Sequence, residues 1–221
     1  MMTQKDKTIG RLLANATAFL RQKNIPNPRL DAEVLLGHCL DCSRVHLYAS
    51  SHMDVAMPRV KQYQALLERR GKGEPIAYLL ESKEFMGLKF FVSPAVLIPR
   101  PETESLVEIA LDFVQKEPNP PGCLVDVGTG SGAIAITLAC SWPQAQVYGL
   151  DISSKALAVA RKNAAIHGVL PQVSLLPSDL LAALPLEIQG KVDVIIANLP
   201  YIPSPEIAGL MADVKNYERC V

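Results

Sequence analysis

Two short β-branched runs, Val125-Asp126-Val127 and Ile195-Ile196-Ala197, stop at residues that carry chemistry: Gly128-Thr129-Gly130-Ser131-Gly132 after the first and Asn198-Leu199-Pro200-Tyr201 after the second. Apolar runs this short, bounded by turn residues, read as buried parallel strands. An open α/β sheet binds its ligands where such strands end. The rhythm continues from Cys123 onward, with strands predicted over 124–127, 147–150, 173–176 and 192–197, and helices from Ala133 and over 156–167. Strands and helices alternating in this way specify a doubly wound α/β domain.

The chain ahead of that domain follows a different period. Ile9, Leu12, Leu13, Ala16, Phe19 and Leu20 form one apolar stripe at helical spacing, Val34, Leu35 and Leu36 belong to a second, and Val60, Tyr63, Leu66 and Leu67 to a third. Pro26-Asn27-Pro28 and Met57-Pro58 mark the breaks, because proline lacks an amide donor and disfavours helix in the residue before it. After Gly71-Lys72-Gly73-Glu74-Pro75 the aromatic and β-branched stretch from Glu84 to Val92 predicts a hairpin turning near Gly87. Pro99-Arg100-Pro101-Glu102-Thr103-Glu104 then opens a helix through Leu106, Val107, Ala110, Leu111 and Val114, closed by the prolines of 118–121. The expected organisation is a helical bundle over 1–73, a hairpin linker over 74–98 and the α/β domain over 99–221. With 221 residues, 49% of them hydrophobic, the chain can fill one sizeable core and a smaller one.

Charge and cysteine usage narrow the partners. The 22 Lys and Arg balance 22 Asp and Glu, so no whole-chain field draws in nucleic acid or an anionic membrane. Residues 1–7 lack the apolar core of a signal peptide, and no apolar run approaches the ~20 residues of a membrane span, so a cytoplasmic location is expected. Five scattered cysteines argue against a disulfide framework. Cys39-x-x-Cys42 with His38 and His46 nearby allows a zinc reading, but no second cysteine pair accompanies it. Core packing is favoured, and no metal is expected.

The glycine loop alone leaves the ligand open. Gly128-x-Gly130-x-Gly132 permits a tight turn and close backbone approach, and with Ala133 it also satisfies the looser dinucleotide pattern. Asp151 ends the second strand about 20 residues later, where its carboxylate can take both ribose hydroxyls of an adenosine or serve only as a helix N-terminal carboxylate. Asp179 follows the third strand, where it or Leu180 can meet adenine, or where Asp179 caps a helix over 180–184. Asn198-Leu199-Pro200-Tyr201 separates the options, since hydride transfer has no use for an amide, a rigid proline and an aromatic beyond the fourth strand. An ordinary strand-ending turn is the other reading.

This tetrapeptide resembles the Asn-Pro-Pro-Tyr motif of class I S-adenosylmethionine-dependent methyltransferases that act on planar amide or exocyclic amino nitrogens. The resemblance implies that Asn198 Oδ1 and the Leu199 carbonyl accept the two N–H hydrogens of the target, that Pro200 stiffens the turn and that Tyr201 packs on the planar group. Leu199 replaces the commoner proline, but the implied acceptor is a backbone carbonyl, which leucine also has. Pro28-Arg29-Leu30-Asp31-Ala32-Glu33, Gly73-Glu74-Pro75-Ile76-Ala77-Tyr78 and Leu97-Ile98-Pro99-Arg100-Pro101-Glu102-Thr103-Glu104 together resemble the HemK/PrmC family, the peptide chain release factor glutamine methyltransferases.

That resemblance implies a Rossmann-like class I sheet, S-adenosyl-L-methionine held by the Gly128 to Gly132 loop, Asp151, Asp179, Leu180 and Asn198, and methylation of the glutamine of a Gly-Gly-Gln motif. It assigns release-factor docking to the helical bundle and hairpin, and places Leu97 and its neighbours to Pro101 on the glutamine pocket near Tyr201. Arg100 and Glu102 could instead simply cap and pair at a helix start. A monomer is expected. About 20 residues follow Tyr201, too few for the remaining strands of the class I fold, so a C-terminally truncated chain with lowered stability and weak or absent activity is expected. Two alternatives accompany this reading: N6 methylation of a flipped adenine in nucleic acid, and an inactive fragment that only binds a partner.

Overall fold

Helix α1 (Ile9–Gln22) starts where Thr8 turns extended and its side chain accepts a hydrogen bond from the Arg11 amide. That is the capping that orphaned N-terminal amides require. The computed structural model describes residues 7–116, 122–199 and 217. It divides into two compact units, Met1–Leu80 and Glu81–Val221.

In the first unit α1 is followed by α2 (Pro28–Leu40), α3 (Arg44–Ala49), α4 (Met57–Gly71) and α5 (Ile76–Leu79). Leu12, Leu13, Leu20, Leu35, Leu36, Leu47 and Tyr63 are buried together, and the Tyr63 hydroxyl donates to the Ala32 carbonyl at 2.9 Å. The short helices α3 and α5 have no counterpart in the hydrophobic periodicity. Helix α2 also departs from a simple stripe: Val34 is only half-buried, whereas Asp31 and Glu33 are buried. Asp31 is satisfied by the Arg70 guanidinium at 2.7 Å, and Glu33 accepts from Arg29, Arg44 and Tyr48. Buried carboxylates persist where such partners replace water. Cys39 lies in this apolar core, and burial pushes its thiol up to about 11. Among the described residues no three His, Cys, Asp or Glu side chains converge on a metal position, and no helix is long and apolar enough to cross a membrane.

The second unit opens with the hairpin β1 (Ser82–Phe85) and β2 (Leu88–Phe91), paired antiparallel with Phe85 opposite Leu88. Met86 and Gly87 both take positive φ, the conformation a two-residue hairpin turn demands. Phe85 and Phe90 meet edge to face at 6.1 Å and join a core with Val107 and Ala110 of α6 (Pro101–Gln115). The strands β3 (Cys123–Val127), β4 (Gln146–Asp151), β5 (Val173–Pro177) and β6 (Val194–Ala197) form a parallel sheet ordered β5-β4-β3-β6, with α7 (Ala133–Ser141) and α8 (Ser154–Ile166) between them. The proline-rich closure of α6 lies outside the described residues.

Strand β3 is buried at every position, as a central parallel strand must be. Strand β6 is not: Ile196 packs into the core, but Ile195 is 52% exposed. The reading of that run as a fully buried strand is therefore corrected. Among the described residues β6 pairs only with β3, and only its Ile196 face is covered. From β3 the chain steps outward through β4 to β5, then returns to the opposite side of β3 for β6, so the order reverses between β3 and β6. Crevices at such reversals are where open α/β sheets bind ligands.

Candidate active site

Val127 and Ala197 are register partners, so the glycine loop and Asn198 leave the same sheet edge side by side. Gly128 adopts φ +74°, and its amide donates to the Leu150 carbonyl at 2.8 Å. A side chain on Gly128 would meet Leu199 Cδ2 at 2.7 Å, so the loop and the tetrapeptide are in direct contact. Gly132 adopts φ +80° as the N-cap of α7, and a Cβ there would stand 2.7 Å from Ile136 Cδ1 and 3.2 Å from Ala160 Cβ.

A cavity of about 310 Å³ opens above this edge. It brings together Gly128, Thr129, Gly130 and Ser131 from the loop, Asp151 from the end of β4, Asp179 and Leu180 after β5, Asn198 and Leu199 after β6, and Leu97. Ile98, Pro99 and Arg100 border the same space. Gly132 is not on the wall; its contribution is the close packing of α7. Pro200 and Tyr201 lie outside the described residues.

Asp151 holds the loop in place. Its Oδ2 accepts from the Gly130 amide at 2.8 Å and its Oδ1 from the Ser153 amide at 2.8 Å, just before α8. Each carboxylate oxygen keeps a second lone pair, so anchoring the backbone leaves capacity for a hydroxyl donor in the cavity. After β5 no helix forms over 180–184; the stretch is a series of turns. Ser178, not Asp179, closes it, accepting from the Ala183 amide at 3.0 Å and donating to the Leu180 carbonyl at 2.8 Å. Leu180 carries φ +49° and is 55% exposed, a left-handed conformation uncommon for a bulky residue. Arg100 occupies the N-cap position of α6 and makes no side-chain capping bond there.

Three polar residues matter more than their sequence context suggested. Asp126 is fully buried within β3; its Oδ2 accepts from Thr129 Oγ1 at 2.6 Å and the Ala135 amide at 3.1 Å, while its Oδ1 has no partner among the described residues. Burial pushes its carboxyl up to about 6, against the two hydrogen bonds. A charged residue inside an otherwise apolar strand was the available signal. Because the folded state then binds this proton more tightly than the unfolded chain, the stabilisation is complete below the ordinary value of 3.8 and is lost as pH rises through about 6. Relative to Asp126→Asn, the parent chain is expected to gain about 1.4 kcal/mol between pH 7.5 and pH 5. Paired urea titrations at the two pH values measure it, and a pH-independent difference would refute the assignment.

Asn163, on the inward face of α8, is fully buried. Its Oδ1 accepts from the Phe91 amide at 2.7 Å, and its Nδ2 donates to the Phe91 carbonyl at 2.9 Å and the Ser131 carbonyl at 2.8 Å. One side chain thereby ties the hairpin to the glycine loop. Its signal was a polar residue in register with Ala156, Val159, Ala160 and Ala164. Asn163→Leu leaves these backbone groups without that partner and is expected to cost about 2 kcal/mol of stability by urea unfolding. The third residue, Thr103, accepts from Asn198 Nδ2 at 2.7 Å.

A parallel sheet with this strand order, a glycine loop after β3, an acidic residue at the end of β4 and an asparagine after β6 defines a Rossmann-like methyltransferase domain, and residues 124–218 match the family model described as a methyltransferase domain. Residues 11–80 match the model of the PrmC N-terminal domain. The chain is 39% identical to the release factor glutamine methyltransferase of Chlorobaculum tepidum, across 99% of this chain and 76% of that one. It is 42% identical to the enzyme of the same name from Moorella thermoacetica, across 96% and 73%, and 40% identical to that of Rhodopirellula baltica, across 96% and 71%. The chain belongs to the PrmC family of release factor glutamine methyltransferases.

Proposed function

We propose that this chain transfers a methyl group from S-adenosylmethionine to the side-chain amide nitrogen of the glutamine in the Gly-Gly-Gln motif of peptide chain release factors. The observation that carries the reading is the placement of Asn198 beside the glycine loop on one cavity, in a chain about 40% identical to enzymes named for that reaction.

The residues present fit the cofactor. The cavity of about 310 Å³ is within the range of small-molecule sites. Its glycine wall at Gly128 has no room for a side chain. Asp151 would take the ribose hydroxyls on its remaining lone pairs, Asp179 and Leu180 would flank the adenine, and Gly128, Thr129, Gly130 and Ser131 would follow the rest, with Asn198 at the reacting end. The bound sulfonium supplies an electrophilic methyl carbon.

An amide nitrogen is a poor nucleophile because its lone pair is delocalised into the carbonyl. Asn198 Oδ1 and the Leu199 carbonyl would accept its two N–H hydrogens and fix the nitrogen facing the cofactor, with Tyr201 packed on the amide plane and Pro200 stiffening the turn. Those two acceptors become stronger partners as positive charge develops on the nitrogen, so they favour the transition state over the ground state. The methylated nitrogen would shed its extra proton to solvent water, since neither neutral amide oxygen is basic enough to keep it. Leu97, 41% exposed on the cavity rim, would contact the glutamine stem.

In this reading the helical segment over 1–73 and the hairpin over 74–98 dock the release factor, and the domain over 99–221 carries out the transfer, as a monomer in the cytoplasm where termination takes place. Mass analysis of an unmodified release factor incubated with the chain and S-adenosylmethionine tests it. One methyl group on the parent factor and none on a Gly-Gly-Gln to Gly-Gly-Ala variant is expected. Methyl transfer to the variant, or to an adenine oligonucleotide in place of the factor, would overturn the assignment.

A further inference from the structure

We infer that Thr103 is a positioning residue that fixes which end of the Asn198 amide faces the substrate. The inference rests on the reading of Asn198 given above and adds to it a residue 95 positions away in the sequence.

A terminal amide has two orientations about χ2 that exchange its oxygen and its nitrogen while occupying nearly the same space. They are chemically opposite: one offers an acceptor, the other a pair of donors. A substrate nitrogen that presents two N–H groups meets an acceptor in the first orientation and a donor in the second. The second is unproductive, so an unrestrained asparagine would divide its time between useful and useless states.

Thr103 provides the restraint when its own hydroxyl hydrogen points away from the amide, because a hydroxyl turned the other way would donate to Oδ1. Asn198 Nδ2 donates to Thr103 Oγ1 at 2.7 Å, which turns Oδ1 to the opposite side of the amide. The threonine itself has little freedom, being 7% exposed and in the first turn of α6, with its amide donating to the Arg100 carbonyl at 3.0 Å. The helix end is held from two further directions. Glu104 Oε1 accepts from the Met86 amide of the hairpin turn at 2.8 Å, and Val107 and Ala110 are buried in the core with Ile196 of β6. Helix α6 and strand β6 therefore share one core, which fixes the backbone that carries each partner of the contact. Both residues border the same cavity.

The test compares Thr103→Val, which keeps the shape and removes the acceptor, with Thr103→Ser, which keeps the hydroxyl, and repeats Thr103→Val in an Asn198→Ala background. Thr103→Val is expected to lower kcat about tenfold with KM for the release factor and affinity for S-adenosylmethionine within about twofold, Thr103→Ser to restore most of the rate, and the valine to have no added effect when Asn198 is already alanine. Equal losses in both backgrounds, or no rescue by serine, would overturn the inference. Full turnover by Asn198→Ala would instead sink the parent reading, while a dead Asn198→Ala beside an unaffected Thr103→Val would sink this one alone. A readout independent of turnover is hydrogen exchange of the Asn198 side-chain amide by NMR in the full chain. Faster exchange in Thr103→Val but not in Thr103→Ser is expected, and unchanged exchange in the valine variant would refute the contact.

Discussion

Asn198→Ala is expected to lower methyl transfer by at least about a hundredfold while leaving S-adenosylmethionine affinity within a few-fold of the parent chain. Loss of one preorganised polar partner of a charge-developing centre costs about this much in other enzymes. Here it would also remove the group proposed to aim the nitrogen, so positioning would be lost with it. Cofactor affinity is retained because the loop geometry does not depend on this side chain. Gly128 and Thr129 donate to the Leu150 carbonyl, and Gly130 donates to Asp151. Single-turnover rates measured beside calorimetric titration of the cofactor separate the two quantities. Equal falls in both would mean that Asn198 is a cofactor contact only.

Gly132→Ala is expected to destabilise the methyltransferase unit by about 3 kcal/mol, the sum of a left-handed backbone penalty of about 1 kcal/mol and overpacking of about 2 kcal/mol. The second part arises because the added methyl would stand 2.7 Å from Ile136 Cδ1 and 3.2 Å from Ala160 Cβ, both fully buried. Gly168 supplies the control: its φ is +71°, but a Cβ there meets nothing within 4 Å. Gly168→Ala should therefore show only the backbone penalty, about 1 kcal/mol. Equal losses at the two positions in urea unfolding would show that α7 yields to the added methyl, and that the glycine is required for its backbone alone. Against a typical domain stability of about 5 to 15 kcal/mol, the larger loss would be visible at once.

The sheet was legible because buried parallel strands are predominantly apolar, and Val125, Val147 and Val173 each begin or sit within such a run. The glycines were legible for a related reason, since few other residues tolerate the backbone the loop adopts. What pattern could not supply was the exposure of Ile195, because periodicity records which residues are apolar and not which faces are covered. The same limit hid Glu33, whose burial depends on Arg29, Arg44 and Tyr48 meeting it from α2 and α3. Ser178 was passed over for Asp179 because both residue types suit a turn, and only the backbone decides which one reaches the Ala183 amide. Thr103 and Asn198 stand furthest beyond reach: their contact exists only through the pairing of β6 with β3 and the seating of α6, neither of which a local window contains.

The position of β6 also has a consequence for how the polypeptide matures. Emerging from the ribosome amino terminus first, the chain completes β3, β4 and β5 by residue 177, while β6, their last described companion, begins at residue 194 and must enter beside the strand made first. Until then one flank of β3, the most deeply buried strand, is an open row of amides and carbonyls, the kind of edge that recruits foreign strands in nascent chains. The loop expected to hold the methyl donor can thus take shape before Asn198, the residue proposed to direct its use, has arrived, and through that interval the flank of β3 stays unpaired.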